Sequence, residues 1–392
     1  MSTINEIIEK LCPDGVEYKA LGDVGTFTRG TGIIKRDFVN EGSPCIHYGQ
    51  IYTYFGMTTN YAISKISYEQ FKRSQKAVMG DVIITITSEN VEDVCTPLVW
   101  EGKEPVAVSA HACIFHSELN SYYVAYVLSS NSFWKQKKKI ARGTKVIEVK
   151  PSDLATLQIP VPPLEIQQKI VEILEKFTRL ELELESELEL RKIQYNYYKN
   201  KLFVFVTNAE WLELGDLVNI LDSRRKPITK GDRESGLIPY YGANGIQDYV
   251  RSFIFDGTFL LVGEDGSVLT ETNKPVLNWA RGQIWVNNHA HILTQKQNKP
   301  MLRYIMYALS LIDISELVHG TPPKLTQKNL RSIKIPVPSL DEQQRIVNIL
   351  DKFNSLTSSS SDGMPAEIWA RHQQYEYYRD KLLDFPRKKT EA

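Results

Sequence analysis

The chain has 392 residues, of which 42% are hydrophobic and 24% charged, and its 47 basic and 47 acidic side chains balance to a net charge of zero. These values are typical of a soluble globular protein with room for two or three domains, and they argue against nonspecific binding to polyanions. No apolar run approaches the roughly 20 residues of a membrane helix, so we expect a cytoplasmic protein without a membrane partner. The four cysteines are dispersed, as expected for reduced thiols rather than a disulfide framework or a zinc ribbon.

The first part of the chain is predicted to be a short helix followed by a domain of strands and helices. Apolar residues at helical spacing predict the N-terminal helix: Ile4, Ile7, Ile8 and Leu11. Runs rich in β-branched residues predict core strands in both halves of the chain, at 81–87, 106–115, 258–263 and 284–294. Helical patterns follow the first pair of strands at 122–128 and 133–140.

The second half of the chain repeats the first. The block at 159–177 recurs at 335–353 with thirteen of nineteen positions identical. An offset of 176 residues is too long for a solenoid unit, so each copy is interpreted as a whole domain with an appended helix. The offset between matching residues falls from 193 at Gly49 to 178 at His111, so the first copy carries about fifteen extra residues between them.

Each repeated block starts with a proline-flanked strand and continues into a long helix. Apolar residues of the first helix alternate in steps of four and three, namely Ile166, Ile170, Ile173, Phe177, Leu180 and Leu184. This spacing predicts the seam of a coiled coil. Leu182 and Leu190 fall off the seam and form a second apolar stripe, which we interpret as a binding surface for a partner protein.

The predicted fold class is α+β, with two similar globular domains separated by two long helices that form an antiparallel coiled coil. The expected shape is a dumbbell with a pseudo-twofold axis. The predicted boundaries are 1–163 and 204–338 for the domains and 164–203 and 339–385 for the helices, the second helix being interrupted near 358–363. At ~1.5 Å per residue, a helix of this length spans about 60 Å.

Three repeated signatures resemble those of a known family. They are the IPVP-x-L-x-x-QQ-x-IV-x-IL block, the YYxxKL ending of each helix, and a Gly-Thr pair before each proline-flanked strand. In these features, which occur twice and span essentially the full length, the chain resembles the specificity subunit of type I restriction-modification systems. The resemblance implies two target recognition domains, each of which reads one half of a split asymmetric DNA sequence, with the helices setting the unread spacer.

The resemblance also implies partners that carry the chemistry. Two methyltransferase subunits would dock on the helices and methylate adenine in double-stranded DNA, and restriction subunits would join for cleavage. The cofactor, S-adenosylmethionine, would belong to the methyltransferase, so this chain would be non-catalytic and hold no cofactor of its own. The sequence agrees, since it has no Asp-Pro-Pro-Tyr methylation motif and no phosphate-binding loop.

Basic, aromatic and amide side chains in corresponding loops are the candidate DNA contacts. Lys138, Arg142 and Lys145 belong to a run without acidic residues at 135–145, although a solvated helix face would also explain them. Loops after the first strand of each domain supply a second set: Arg29, Lys35, Arg36, Arg224, Arg225, Lys226 and Lys230. Groups suited to base edges form a third set: His47, Tyr48, Gln50, Tyr240, Tyr241 and Asn244. Turn formation alone would explain the glycines beside the third set.

Two histidines recur at matching positions of the apolar runs. We interpret His111 and His289 as hydrogen-bonded core histidines. A metal site is not predicted, because the second copy lacks the cysteine that lies beside His111 in the first copy.

The alternative function is a coiled-coil scaffold that binds only protein and reads no DNA sequence. The zero net charge slightly favours this alternative, whereas the paired domains with basic loops favour DNA.

Overall fold

The computed structural model describes Glu6 and the ranges 12–204, 209–358 and 361–388. Apart from Glu6, the predicted N-terminal helix around residues 4–11 lies outside the described residues. The chain divides into two compact units, of which the first comprises Met1–Leu184 and Ile368–Ala392 and the second comprises Glu185–Glu367. Each unit therefore contains one copy of the repeated domain together with parts of both long helices.

The first unit contains a domain of two main sheets with helices packed on them. Its strands are β1 (Tyr18–Ala20), β2 (Gly25–Arg29), β3 (Ser43–Ile46), β4 (Thr58–Thr59), β5 (Ser64–Ile66), β6 (Lys76–Ala77), β7 (Val82–Thr85), β8 (Thr87–Ser88), β9 (Pro97–Trp100), β10 (Val106–Val108), β11 (Ala112–Ser117), β12 (Ile147–Glu148) and β13 (Gln158–Pro160). Its helices are α1 (Leu21–Val24), α2 (Tyr48–Thr53), α3 (Tyr68–Arg73), α4 (Ser121–Leu128), α5 (Asn131–Ile140) and α6 (Pro151–Leu154). The strand orders are β2-β11-β7-β9-β4 in one sheet and β5-β3-β10-β6 in the other.

The second unit contains a domain built around one six-stranded sheet. The strands of this unit are β14 (Glu210–Glu213), β15 (Val218–Ile220), β16 (Ser235–Gly242), β17 (Gly245–Val250), β18 (Phe255–Gly263), β19 (Leu277–Val286), β20 (Ala290–Gln295), β21 (Val318–His319), β22 (Lys324–Leu325) and β23 (Lys334–Val337). The strand order in the six-stranded sheet is β15-β20-β18-β19-β16-β17. Its short helices are α8 (Leu214–Leu217), α9 (Leu302–Leu309) and α10 (Gln327–Arg331).

Three long helices account for the predicted coiled-coil segments. They are α7 (Leu164–Val204), α11 (Leu340–Ser358) and α12 (Met364–Leu383). The break between α11 and α12 coincides with the serine-rich stretch that the sequence marks as an interruption. Among the described residues, no helix combines the length and the apolar character needed to cross a membrane.

Within the first unit, the long helices pair in opposite directions. Phe177 of α7 stacks on Tyr378 of α12 with 5.4 Å between ring centroids. Four residues further along α7, Glu181 Oε1 lies 2.7 Å from Nδ1 of His372, which is six residues earlier on α12. Because the contacts advance along one helix while they retreat along the other, this pairing is antiparallel, as predicted.

The second unit uses the same pair of repeat positions with the helices exchanged. Phe353 of α11 stacks on Tyr198 of α7 with 5.8 Å between ring centroids. Phe353 and Tyr198 are the repeat equivalents of Phe177 and Tyr378. The duplicated sequence therefore forms the same interhelical contact in each unit.

A buried glutamine joins the first domain to its helix. Gln167 is 1% exposed; its Nε2 donates to the Pro162 carbonyl at 2.8 Å, and its Oε1 accepts from the Asn120 backbone N–H at 3.0 Å. The Tyr123 hydroxyl donates to the Pro160 carbonyl at 3.0 Å. These bonds connect the proline-flanked strand, the first residues of α4 and the start of α7, so the helix is fixed to its own domain.

The second domain repeats this joint. Gln343 is also 1% exposed; it donates to the Pro338 carbonyl at 2.8 Å and accepts from the Met301 backbone N–H at 2.9 Å. The Tyr304 hydroxyl donates to the Pro336 carbonyl at 2.8 Å. Met301 precedes α9 as Asn120 precedes α4, so the first glutamine of the repeated pair has the same structural role in both copies.

The predicted strands at 106–115 and 284–294 are wrong as single strands, because each consists of two strands separated by a turn. Three residues form each turn: Ser109, Ala110 and His111 between β10 and β11, and Asn287, Asn288 and His289 between β19 and β20. We call these segments the histidine turns. The apolar pattern hid them because the flanking strand residues are buried on both faces of their sheets. The helices predicted at 122–128 and 133–140 are confirmed as α4 and α5.

The joint predicts a stability difference between neighbouring glutamines. Gln343→Leu should lower the free energy of unfolding by about 1–3 kcal/mol, because it leaves the half-buried Met301 N–H and Pro338 carbonyl without this partner. The matched control is Gln344→Leu, since Gln344 is exposed and its Nε2 donates to Asn348 Oδ1 of its own helix. Urea denaturation followed by circular dichroism would measure both, and equal midpoints for the two variants would contradict the structural role of Gln343.

Candidate nucleic-acid interface

The same backbone bonds hold both histidine turns. The Ile86 N–H donates to the His111 carbonyl at 2.9 Å, and the Glu264 N–H donates to the His289 carbonyl at 2.8 Å. Both pairs are related by an offset of 178 residues, the offset that relates the strands around them. The two domains therefore hold this loop with the same backbone hydrogen bonds, although most of their loop residues differ. We call this shared backbone arrangement the loop frame.

An arginine supports each turn, from the end of β2 in the first domain and from the loop after β15 in the second. Arg29 Nε donates to the Ala110 carbonyl at 3.0 Å, and Arg225 Nη1 donates to the Asn288 carbonyl at 3.3 Å and to the Ala290 carbonyl at 2.8 Å. Ala110 and Asn288 are equivalent positions. The ladder pairings relate Gly25 to Val218 and therefore Arg29 to Asp222, so the two arginines do not occupy equivalent positions, although each bonds to a carbonyl of its turn.

The two arginines differ in how much of the guanidinium remains available. The Arg29 side chain is 53% exposed, with Glu148 3.8 Å away. The Arg225 side chain is 13% exposed and forms ion pairs with Glu264 and, at 3.8 Å, with Asp222. This burial argues against the predicted DNA contact for Arg225, because its charge is already neutralised inside the domain, whereas Arg29 remains a candidate.

Asp222, Glu264 and His291 form the one group among the described residues that has the donor types and proximity to hold a metal ion. His291 Nδ1 lies 2.6 Å from Asp222 Oδ2. Arg225 already pairs with both carboxylates, and Lys324 lies 3.2 Å from Glu264. A divalent ion would have to displace these cations, so the group is better explained as a charge-balanced ion network. Burial raises the pKa of Asp222, but its hydrogen bonds outweigh burial and hold the pKa below its usual value.

Tyr240 and Tyr241 are core residues, which corrects the prediction that they face base edges. In the parallel pairing of β16 with β19, Tyr241 lies opposite Val286; in the pairing of β3 with β10, Ile46 lies opposite Val108. Since Val108 and Val286 are equivalent, the counterpart of Tyr241 is Ile46 rather than Tyr48. Tyr240 is 1% exposed and Tyr241 is 9% exposed. The Tyr-Gly match between the copies had shifted the alignment by two residues.

In the first domain, three of the predicted residues form a small aromatic and amide cluster. His47 is 8% exposed, and its Nδ1 accepts from the Gly49 N–H at 3.4 Å at the start of α2. Gln50 Oε1 accepts from the His47 N–H at 3.0 Å, so both side chains cap the helix. Burial, together with nearby Lys35 and His111, lowers the pKa of His47. Tyr48 is half-buried, and its ring centroid lies 4.9 Å from that of His111.

The histidines themselves are not core residues, so the prediction made for His111 and His289 is wrong. His111 is exposed, and the side chain of His289 is 46% exposed. Among the described histidines of the second domain, the buried one is His291, which is 0% exposed. The prediction failed because His111 and His289 lie in turns that the sequence pattern joined to the neighbouring strands, so both were counted as strand residues.

The basic run at 135–145 separates into one buried lysine and several exposed cations. Lys137 is 5% exposed, and its Nζ donates to the carbonyls of Glu92 and Val94 at 2.8 and 2.7 Å. Burial lowers the pKa of Lys137. The three residues predicted as phosphate contacts are all exposed: Lys138, Arg142 and Lys145. The remaining predicted contacts are exposed too, namely Lys35, Arg36, Arg224, Lys226, Lys230 and Asn244.

The long helices expose apolar side chains at the predicted stripe and at a further repeated position. Leu182 is 60% exposed and Leu190 is 59% exposed. Leu182 also lines a cavity of about 830 Å³ in the first unit, together with Met57, Tyr122, Tyr126, Glu172 and Glu175.

The first tyrosine of the YYxxKL signature was not among the residues predicted from the sequence to bind a partner. It is exposed in both copies, at 57% for Tyr197 and 59% for Tyr377.

A scan against protein-family models matches the type I restriction modification DNA specificity domain twice, over residues 13–193 and 208–369. A type I restriction enzyme specificity subunit of Haemophilus influenzae is 40% identical over 183 residues, which are 45% of this chain and 47% of that protein. The EcoR124I/EcoR124II specificity subunit of Escherichia coli is 33% identical over 61% of this chain and 66% of its own length. The alignments thus span about half to two thirds of these relatives.

Solved structures show the same fold over almost the whole chain. The S subunit of a type I restriction-modification system from M. genitalium has a TM-score of 0.57 at 16% identity, covering 94% of this chain and 96% of that chain. A chain from a structural study of type I restriction-modification complex assembly has a TM-score of 0.58 at 17% identity, covering 94% and 97%. The two matched segments include most of the sequence, and the chain therefore belongs to the family defined by the type I restriction modification DNA specificity domain, of which it carries two copies.

Proposed function

We propose that this chain is the DNA specificity subunit of a type I restriction-modification complex and that each domain reads one half of a bipartite, asymmetric target. The observation that carries the proposal is a shared loop frame with different side chains in the two copies. Thr87 and Asp265 occupy one equivalent position beside the histidine turns, and Glu148 and Lys324 occupy another. A common frame with different hydrogen-bonding groups is what two dissimilar half-sites require.

Exposed cations supply the sequence-independent part of the proposed DNA binding. In the first domain, Arg142 and Lys145 follow α5 and are exposed together with Arg29. In the second domain, Arg224 and Lys226 lie in the loop before β16 and are exposed as well. Neutralising backbone phosphates would position each domain on the duplex, while other side chains discriminate bases.

The proposed protein partners are two methyltransferase subunits, joined by restriction subunits in the full complex. The repeated exposed tyrosines favour a partner present in two copies, because Tyr197 and Tyr377 offer the same apolar group at equivalent positions. Each is accompanied by a lysine, with Lys201 and Lys381 lying 5.5 and 5.6 Å from the respective ring centroids.

Leu182 and Leu190 remain predicted contacts with a partner protein. Adenine methylation, with S-adenosylmethionine as cofactor, would occur on the partner in the cytoplasm.

The helices are proposed to set the spacing between the two half-sites. Helix α7 has 41 residues, which corresponds to about 60 Å at ~1.5 Å per residue. At its N-terminal end the buried glutamine joint fixes the helix to its own domain. A stiff element anchored in this way suits a fixed number of unread base pairs.

The proposal predicts a gapped methylation motif with separable halves. When the chain is co-expressed with its methyltransferase partner, long-read sequencing should map methylated adenines to a two-part sequence. Replacing residues 1–158 with those of a relative should change one half only, because the second domain is untouched. A motif that changes in both halves would contradict modular reading. Methylation that ignores the exchange would favour the protein-only scaffold.

The exposed cations predict a specific change in salt dependence. Arg142→Ala should reduce the slope of log K against log salt by about one unit, because one phosphate contact is lost. Fluorescence anisotropy of the assembled complex with a target duplex would measure the slope. Lys192→Ala is the matched control, since Lys192 is exposed on α7 and pairs with Glu189. An unchanged slope for Arg142→Ala would remove this residue from the interface.

A further inference from the structure

We propose that His111 and His289 are specificity-determining residues, each of which contacts a base edge in its own half-site through Nε2. This inference rests on the proposed function and names residues for it. It depends on three properties that the two histidines share: an equivalent position, the same anchoring of Nδ1, and an exposed ring.

The two rings are anchored from equivalent positions, by different side chains. His111 Nδ1 lies 3.1 Å from Thr87 Oγ1, and His289 Nδ1 is hydrogen-bonded to the Asp265 carboxylate. The offset of 178 residues that relates the histidines also relates Thr87 to Asp265. Because the backbone carbonyl of each histidine is held as well, both ends of the residue are fixed and the ring points in a set direction.

The part of each ring that remains available is Nε2. In each histidine, Nδ1 has a hydrogen-bond partner, whereas Nε2 has none among the described residues. An oriented side chain with one free hydrogen-bonding atom is suited to a base edge, because it loses little conformational freedom on binding. Tyr48 packs against His111 and limits its movement further.

The residues around the two rings differ in charge, as reading of dissimilar half-sites requires. The Asp265 carboxylate only accepts, so His289 must donate from Nδ1. The Thr87 hydroxyl donates or accepts, so His111 has access to both tautomers. The ladder partner of Thr87 is Glu148, whereas the bridge partner of Asp265 is Lys324. Equivalent rings are thus placed in unlike electrostatic surroundings.

A contact with a phosphate is the competing role for an exposed histidine. A phosphate contact would weaken binding to all sequences alike, whereas a base contact changes which sequence is preferred. The two roles are therefore separated by the methylation motif rather than by affinity.

The test is to map methylated adenines for the complete complex carrying either histidine substitution. His111→Ala should relax at least one base position in the half read by the first domain, with about a tenfold loss of discrimination there, and should leave the other half unchanged. His289→Ala should do the same in the opposite half. A second variant, Asp265→Asn, keeps the ring and removes the charge that orients it, and it should shift the preference in the same half as His289→Ala.

Matched controls use exposed histidines outside the turns. His116→Ala in the first domain and His372→Ala on α12 should leave the motif unchanged, since neither residue lies in a histidine turn or pairs with a residue beside one. A wild-type complex without a gapped motif would overturn the proposed function and this inference together. A wild-type motif that survives both turn substitutions, or methylation that declines uniformly without a change of motif, would overturn this inference alone.

Discussion

The buried glutamine at the start of each long helix is the contact on which the connection between domain and helix depends. The buried side chains of Gln167 and Gln343 each bond a proline carbonyl and the backbone N–H of the residue that precedes a helix. An apolar side chain of similar size could fill the space but could not bond to either backbone group. The polar side chain therefore fixes the direction in which the helix leaves its domain, and its presence in both copies makes the two joints alike.

Duplication preserves this joint while the loops at the histidine turns diverge. The backbone bonds that hold His111 and His289 are the same, and an arginine supports each turn through an equivalent carbonyl. What changes is the chemistry on the frame, from Thr87 to Asp265 and from Glu148 to Lys324. Since backbone pairing is indifferent to side-chain type, such exchanges alter what the surface can bind without rebuilding the fold. A single scaffold can thus serve two different half-sites.

Much of this organisation follows from the sequence, because repetition and heptad spacing are explicit in it. Phe177 and Phe353 lie on the predicted seam, and each stacks on a tyrosine of the facing helix, Tyr378 and Tyr198 respectively. The site was harder to predict for physical reasons. Strand residues on both sides of each histidine turn are buried, so the apolar pattern continues through the turn and hides it. Likewise, the Tyr-Gly match in the sequence aligned Tyr241 with Tyr48, whereas the strand pairing shows that Ile46 is the counterpart of Tyr241. Whether a side chain is buried depends on its place in the ladder, which residue identity alone does not reveal.

The interiors beneath the two turns show that one backbone frame is compatible with opposite kinds of packing. Glu264 and His291 belong to an ion network in the second domain, whereas the residues at the same offset in the first domain are Ile86 and Cys113, both 0% exposed in an apolar core. A buried ion network contributes little net stability compared with apolar packing, but each charge must keep its partner, so the network restricts geometry. In the second domain the network holds Arg225 beneath the turn; in the first, Arg29 bonds to the turn from the surface and keeps half of its side chain in solvent. Each arginine bonds to an equivalent carbonyl of its turn, but Arg225 is buried and Arg29 stays on the surface. The first domain therefore presents a cation that the second does not, which adds to the difference between the two surfaces proposed to read DNA.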